Sequence, residues 1–207
     1  MKKIFKNILE YLGLSVVSKS LLEMSDDPLH ALTNIFQKDE VKIIVDCGAS
    51  IGETSDLYSK NFKNAYVYAY EPLPNFYNLL HQKSLKNNRI IPFELALSNS
   101  CGSNTFSVNL SSGTSSLLKS NKIKSSTYGQ LTTPQEKLKV KTQTLDSLFQ
   151  NETIDVLKLD IQGGEFNALC GAEKILNENR LKAIVCEVMF ERHYEKQVSG
   201  TKLMSFI

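Results

Sequence analysis

The 207-residue sequence predicts an α/β fold, a mostly parallel sheet with helices on both faces, and three observations lead there. Apolar, β-branched runs short enough for buried strands recur at 43–47, 65–70, 90–97, 154–159 and 181–189. Stretches of helical period lie between most of them, so strand and helix alternate as βαβ crossovers require. Two of the runs stop at an acid followed closely by glycine, at Asp46 and Gly48 and at Asp160 and Gly163. Turns at the carboxyl ends of parallel strands are where open α/β sheets bind ligands.

In chain order, residues 1–40 read as a helical extension ahead of a binding domain at 41–207. Ile4, Phe5, Ile8, Leu9 and Leu12 recur at helical spacing opposite Lys2, Lys3 and Lys6. Such a basic amphipathic pattern suits packing on the domain or on a second subunit, and as the alternative it suits contact of residues 1–12 with a membrane surface. Asn7 and Glu10 interrupt it and no small-residue cleavage site follows, so it is not a secretory signal. Asp27 before Pro28 starts another helix, with Leu29, Leu32, Ile35 and Phe36 on its apolar side.

The first strand, 43–47, turns through small residues into a helix at 54–62. Strand 65–70 leads to a helix at 76–85 begun by Pro72 and Pro74, and then comes strand 90–97. Residues 98–135, dense in Ser, Thr, Asn and Gly, break the rhythm; they read as an inserted hairpin and a mobile loop, with a short strand at 105–110. Lys137, Lys139 and Lys141 alternate with Leu138, Val140 and Thr142 as the wet face of a strand. Strand 154–159 turns at Asp160 into a helix with Phe166, Leu169, Cys170, Ile175 and Leu176 inward. After strand 181–189 there is length for one short helix.

Composition frames these elements. A chain that is 42% hydrophobic and 22% charged closes one core, and a formal charge of +2 gives no reason to expect nucleic acid as a partner. Cys47, Cys101, Cys170 and Cys186 form neither a Cys-x-x-Cys pair nor a zinc spacing, so they read as reduced thiols and no metal site is expected beyond a weak Mg²⁺ that Asp160 with Glu187 could hold. No stretch approaches the ~20 apolar residues of a membrane span. Together these observations place the protein in the cytoplasm.

The chemistry concentrates at the strand ends. Counted from Gly48, the third and sixth positions are Ser50 and Glu53, so the dinucleotide fingerprint fails. Asp46, Gly48, Ser50 and Gly52 instead match the Asp-x-Gly-x-Gly-x-Gly motif of enzymes that use S-adenosylmethionine (SAM), with serine at the middle glycine. Glu71 ends the second strand, where an acid can accept two hydrogen bonds from a ribose diol, and Pro72 fixes the exit of the chain. Asp160 ends the fourth strand, and His193 follows the fifth by a few residues.

Six segments in this order resemble the FkbM-type methyltransferases: residues 45–52 (Val-Asp-Cys-Gly-Ala-Ser-Ile-Gly), Tyr70-Glu71-Pro72, Ala96-Leu97-Ser98, Thr114-Ser115-Ser116-Leu117, Thr144-Leu145-Asp146 and residues 157–165. The resemblance covers about Val41 to Tyr194. It implies a class I methyltransferase, Rossmann-like fold and SAM-dependent O-methylation of a hydroxyl on a sugar, glycan or related small molecule. It also implies cofactor contacts at Asp46, Gly48, Ala49, Ser50, Gly52, Glu71 and Pro72, with the Ala96-Leu97 turn near the adenine. Gln162 stands where the family often has Glu.

Sulfonium sulfur is already a good leaving group, so the enzyme mainly holds the acceptor oxygen in line and removes its proton. His193 is the candidate base and Asp160 an acceptor that orients cofactor or sugar; these are the two catalytic candidates. A reductase is disfavoured by the failed fingerprint, and a catalytically weak or inactive methyltransferase-like interaction domain is the alternative. The resembled fold adds two strands after the fifth, and residues 190–207 are too few for them. The edge at 181–189 is therefore expected to be covered by the N-terminal helices or by a homodimer partner, unless the sequence is a truncated copy.

Overall fold

The computed structural model describes residues 27–121 and 130–206. The chain divides into two compact units, residues 1–37 and 38–207. In the first, helix α1 (Pro28–Ile35) begins as its sequence predicts. Asp27 caps it by accepting the backbone N–H of Leu29 at 2.9 Å, and Pro28 sits in the first turn, where its missing N–H loses nothing. Its apolar side is narrower than expected: Leu32 is buried, but Ile35 is exposed. The amphipathic pattern of residues 1–12 lies outside the described residues.

The second unit runs β1 (Ile43–Cys47), α2 (Glu53–Asn61), β2 (Tyr66–Tyr70), α3 (Pro74–Ser84), β3 (Ile90–Phe93), β4 (Ala96–Leu97) and β5 (Gly102–Asn109). A 3-10 turn (Ser112–Thr114) and β6 (Pro134–Gln143) follow. Then come α4 (Leu145–Leu148), β7 (Ile154–Leu159), α5 (Glu165–Cys170), α6 (Glu173–Asn177), β8 (Leu181–Cys186) and α7 (Gly200–Met204). Five strands form one sheet in the order β3-β2-β1-β7-β8, every pairing parallel. All six residues of β7 are buried, as a strand covered on both faces requires. Leu157, Leu159, Leu169 and Ile175 fill the main core, each contributing about 1.5–3 kcal/mol by leaving water.

The order reverses at β1, which has β2 on one side and β7 on the other, so the crevice for a ligand opens at the carboxyl ends of β1 and β7. A second sheet, β4-β6-β5, follows, in which β5 and β6 form an antiparallel ribbon; the hairpin read within 98–135 thus takes its second arm from the strand of Lys137, Lys139 and Lys141.

Besides shifts of one to three residues, as at β5, three boundaries differ from the sequence reading in kind. The run 90–97 is two strands, because the chain breaks at exposed Glu94 and Ala96 pairs with Thr142 of the second sheet. The helix after Gly164 is also two, since Gly171 passes so close to the Ser98 carbonyl that a side chain there would collide with it. β8 ends at Cys186 rather than Met189, and among the described residues it pairs with β7 alone.

Candidate functional site

The turn after β1 winds through three positive φ angles, at Gly48 (76°), Ser50 (49°) and Gly52 (78°). The amides of Gly48 and Ala49 both donate to the Tyr70 carbonyl at 3.0 Å, which pins the loop to the end of β2. A side chain on Gly48 would collide with the backbone carbonyl of Asp160, and one on Gly52 would come within 2.6 Å of Leu80 on α3. These glycines are therefore demanded by the backbone after β7 and by α3.

Glu71 closes the loop from the next strand. One carboxylate oxygen, Oε2, accepts the Ser50 amide at 2.9 Å and the other, Oε1, accepts the Leu73 amide at 2.8 Å. Burial raises its pKa, and the two amides pull it partly back. Beside it lies a cavity of about 800 Å³ including its mouth. Leu73, Phe76, Ala96, Leu97 and Phe106 give it an apolar side, while Ser50, Glu71, Asp160 and Gln162 supply polar groups. A carboxylate has about four acceptor positions, so two amides leave Glu71 capacity toward the cavity.

The turn after β7 forms the far wall. Glu165, buried, accepts the amides of Ile161 (3.0 Å) and Gly163 (3.2 Å) through one oxygen, and burial raises its pKa. Gln162 adopts φ 57° and is held on every side. Its Nε2 donates to Asp160 Oδ1 and to Glu187 Oε2, each at 3.0 Å; its Oε1 lies 3.2 Å from the Tyr194 hydroxyl; its carbonyl accepts from Ser116 Oγ at 2.7 Å. The single proton of the Tyr194 hydroxyl has its shorter contact at the Thr114 carbonyl, 2.7 Å away, so Tyr194 stands between this turn and the Thr-Ser-Ser segment of the insertion.

Beneath both turns Lys158 bridges the strands. Its ammonium lies 3.2 Å from Asp46 Oδ1, 3.2 Å from the Gly48 carbonyl and 3.6 Å from Asp160 Oδ2. Burial disfavours its charge, but Asp46 and Asp160 outweigh that and hold its pKa above the ordinary lysine value. Asp46 is fully buried and takes the Ser55 hydroxyl at 2.6 Å as well.

A family model described as the methyltransferase FkbM domain matches residues 46–207, the span that contains both turns and the insertion. The chain belongs to the FkbM methyltransferase family. Among solved structures, the methyltransferase FkbM from Methylobacillus flagellatus KT is similar with a TM-score of 0.52, at 18% identity over 84% of this chain. That likeness shows the fold, and the match spans 38% of the other chain's length. None of the curated proteins matches.

Within this family fold, the sequence-predicted residues divide by position. Gly48, Ser50, Glu71, Pro72, Ala96, Leu97 and Asp160 line the cavity. Asp46, Ala49 and Gly52 lie behind the lining, where they shape the loop. His193 does not reach the cavity either; its backbone amide donates to Gln197 Oε1 and its carbonyl accepts from Asn121, while its neighbour Tyr194 turns inward and is fully buried. The site residues that the sequence reading missed are Lys158 and Tyr194; Glu187 it already sets beside Asp160. Lys158 left a signal, being a cation in an apolar strand two residues before an acid. Among the described residues no set of three His, Cys, Asp or Glu is arranged to hold a metal, and no helix is long and apolar enough to cross a membrane.

Proposed function

We propose that residues 41–207 form a SAM-dependent O-methyltransferase domain acting on a hydroxyl of a sugar, glycan or related small molecule, with residues 1–40 as its extension. One observation carries this reading: a single cavity at the sheet's switch point joins Glu71 at one side to Asp160 and Gln162 at the other. The residues fit the methyl donor. Glu71 offers its remaining acceptor positions to a ribose diol, and Leu73, Phe76, Ala96 and Leu97 offer an apolar slot for a flat base. When bound, SAM supplies a methyl group on a sulfonium leaving group. The protein's work is then to hold the acceptor hydroxyl beside Asp160 and to exclude bulk water with the wall of Phe106 and Leu117.

Calorimetry tests the binding half: SAM should bind and NADPH should not. Labelled SAM offered with monosaccharides, oligosaccharides and polyols tests the transfer. Binding of NADPH in place of SAM would overturn the reading, and binding of SAM with no transfer to any hydroxyl acceptor would favour the interaction-domain alternative.

A further inference from the structure

The ends of β7 and β8 carry a second acid beside Asp160. Glu187 directly follows β8, and its amide donates to the Leu159 carbonyl at 3.0 Å, so it stands level with the end of β7. Gln162 Nε2 reaches both acids, Glu187 Oε2 and Asp160 Oδ1, at 3.0 Å each. Carboxylates only accept, so this amide must present its NH2 to the pair, which turns its Oε1 toward the Tyr194 hydroxyl. Gln162 and Asp160 line the cavity, which puts Glu187 one side chain from its polar end.

The two acids are not equivalent. Asp160 has the Lys158 ammonium 3.6 Å from its second oxygen. Glu187 reaches solvent, and its own second oxygen has no hydrogen-bond partner among the described residues. We propose that Glu187, held by Gln162 one side chain beyond the polar end of the cavity, is the proton acceptor of the methyl transfer. The inference rests on the SAM-dependent reading above. In the step it serves, the acceptor oxygen bonds to the methyl carbon as the carbon–sulfur bond breaks. The electron pair of that bond stays on sulfur and neutralises it, and the hydroxyl proton passes to the Glu187 carboxylate.

The surroundings suit that task. Partial burial, then the charges of Asp160 and Glu165, raise the Glu187 carboxyl to about 7, and Lys158 only partly offsets them. Adjacent Cys186 is pushed up to about 12 by burial first, so it stays a neutral thiol. A base is most effective when its pKa lies near the working pH.

The test needs no knowledge of the acceptor. Sinefungin carries an amine where SAM carries the S-methyl group, whereas S-adenosylhomocysteine (SAH) carries nothing there. Wild-type protein should bind sinefungin more tightly than SAH at about pH 8, and that advantage should shrink as pH falls through about 7 and Glu187 takes up its proton. In Glu187→Gln the advantage should drop about tenfold and lose its pH dependence, with SAH affinity unchanged. His193→Ala should alter neither ligand. An unchanged sinefungin advantage in Glu187→Gln overturns the inference, as does an equal loss of SAH affinity, which would mark Glu187 as merely structural. Wild-type protein that binds neither ligand would overturn the SAM-dependent reading itself.

Discussion

Loop 48–52 and loop 160–164 close the same cavity, and each leaves a parallel strand, places a non-glycine at positive φ, passes a glycine close to a neighbour and is tied by a buried glutamate. They differ in where the glutamate comes from. Glu165 opens the helix of its own turn and uses a single oxygen for both amides, so its carboxylate serves the turn. Glu71 arrives from the neighbouring strand and uses one oxygen for Ser50 and the other for Leu73, while its side chain still lines the cavity. A carboxylate brought from another strand can hold a loop and face a ligand at once. One that belongs to the turn faces inward.

The glycines should break the likeness between the loops most strongly. Gly48→Ala places a methyl group against the Asp160 backbone carbonyl at φ 76°, and backbone at a strand end cannot yield. Urea unfolding should show a loss of at least about 3 kcal/mol. Gly163→Ala meets the Tyr194 ring edge at 2.8 Å, a side chain that can tilt, and should lose about 1–2 kcal/mol. Equal losses would mean that the ring is as immobile as the strand.

The glutamates should separate binding from stability. Glu71→Ala is expected to weaken SAM binding tenfold or more by calorimetry, on the order of the 1.5–3 kcal/mol of a charge-assisted hydrogen bond. It should also cost stability, about 1–3 kcal/mol, because the Ser50 and Leu73 amides lose their acceptor. Glu165→Gln keeps an oxygen for the two amides and suits a site that already favours the neutral form, so about 1 kcal/mol and no change in SAM affinity are expected. A Glu165→Gln protein that binds SAM as poorly as Glu71→Ala would erase the contrast between the two loops.

The smallest effect is a pH dependence. The folded protein raises Glu187 from 4.5 to about 7, and raises Glu71 and Glu165 above 4.5 as well, so on the alkaline side of 4.5 it binds more protons than the unfolded chain does. The Glu187 contribution to stability is full below 4.5 and is lost as pH rises through about 7, and those of Glu71 and Glu165 are likewise lost on the alkaline side of 4.5. Asp155, lowered through its Lys182 and backbone hydrogen bonds against the opposing effect of burial, acts in the other direction but below its ordinary 3.8, outside this window. The urea midpoint of wild-type protein should therefore fall modestly between about pH 5 and 7.5, and Glu187→Gln should flatten that slope. An identical slope in both proteins would show that Glu187 does not titrate in this range.

By itself the sequence determined the alternation of strands and helices, the Asp27 cap, the turns at Asp46 and Asp160 and the family, because each is written in neighbouring residues: apolar period, capping side chain, glycine spacing. It also marked Glu71 and Asp160, since the residue directly after a strand is positioned by that strand's backbone. Only the tertiary structure decided that Gly48 answers to Asp160 across 112 residues, that Asp46 is turned away onto Lys158, and that Tyr194 rather than His193 points inward. Which of two adjacent residues faces the core after a strand ends depends on how the chain is caught, here by Gln197 and Asn121, and no local period records it. Asp160 and Glu187 could be paired from the sequence as acids at the ends of two strands, but that the Gln162 amide reaches both follows only from β7 and β8 lying side by side.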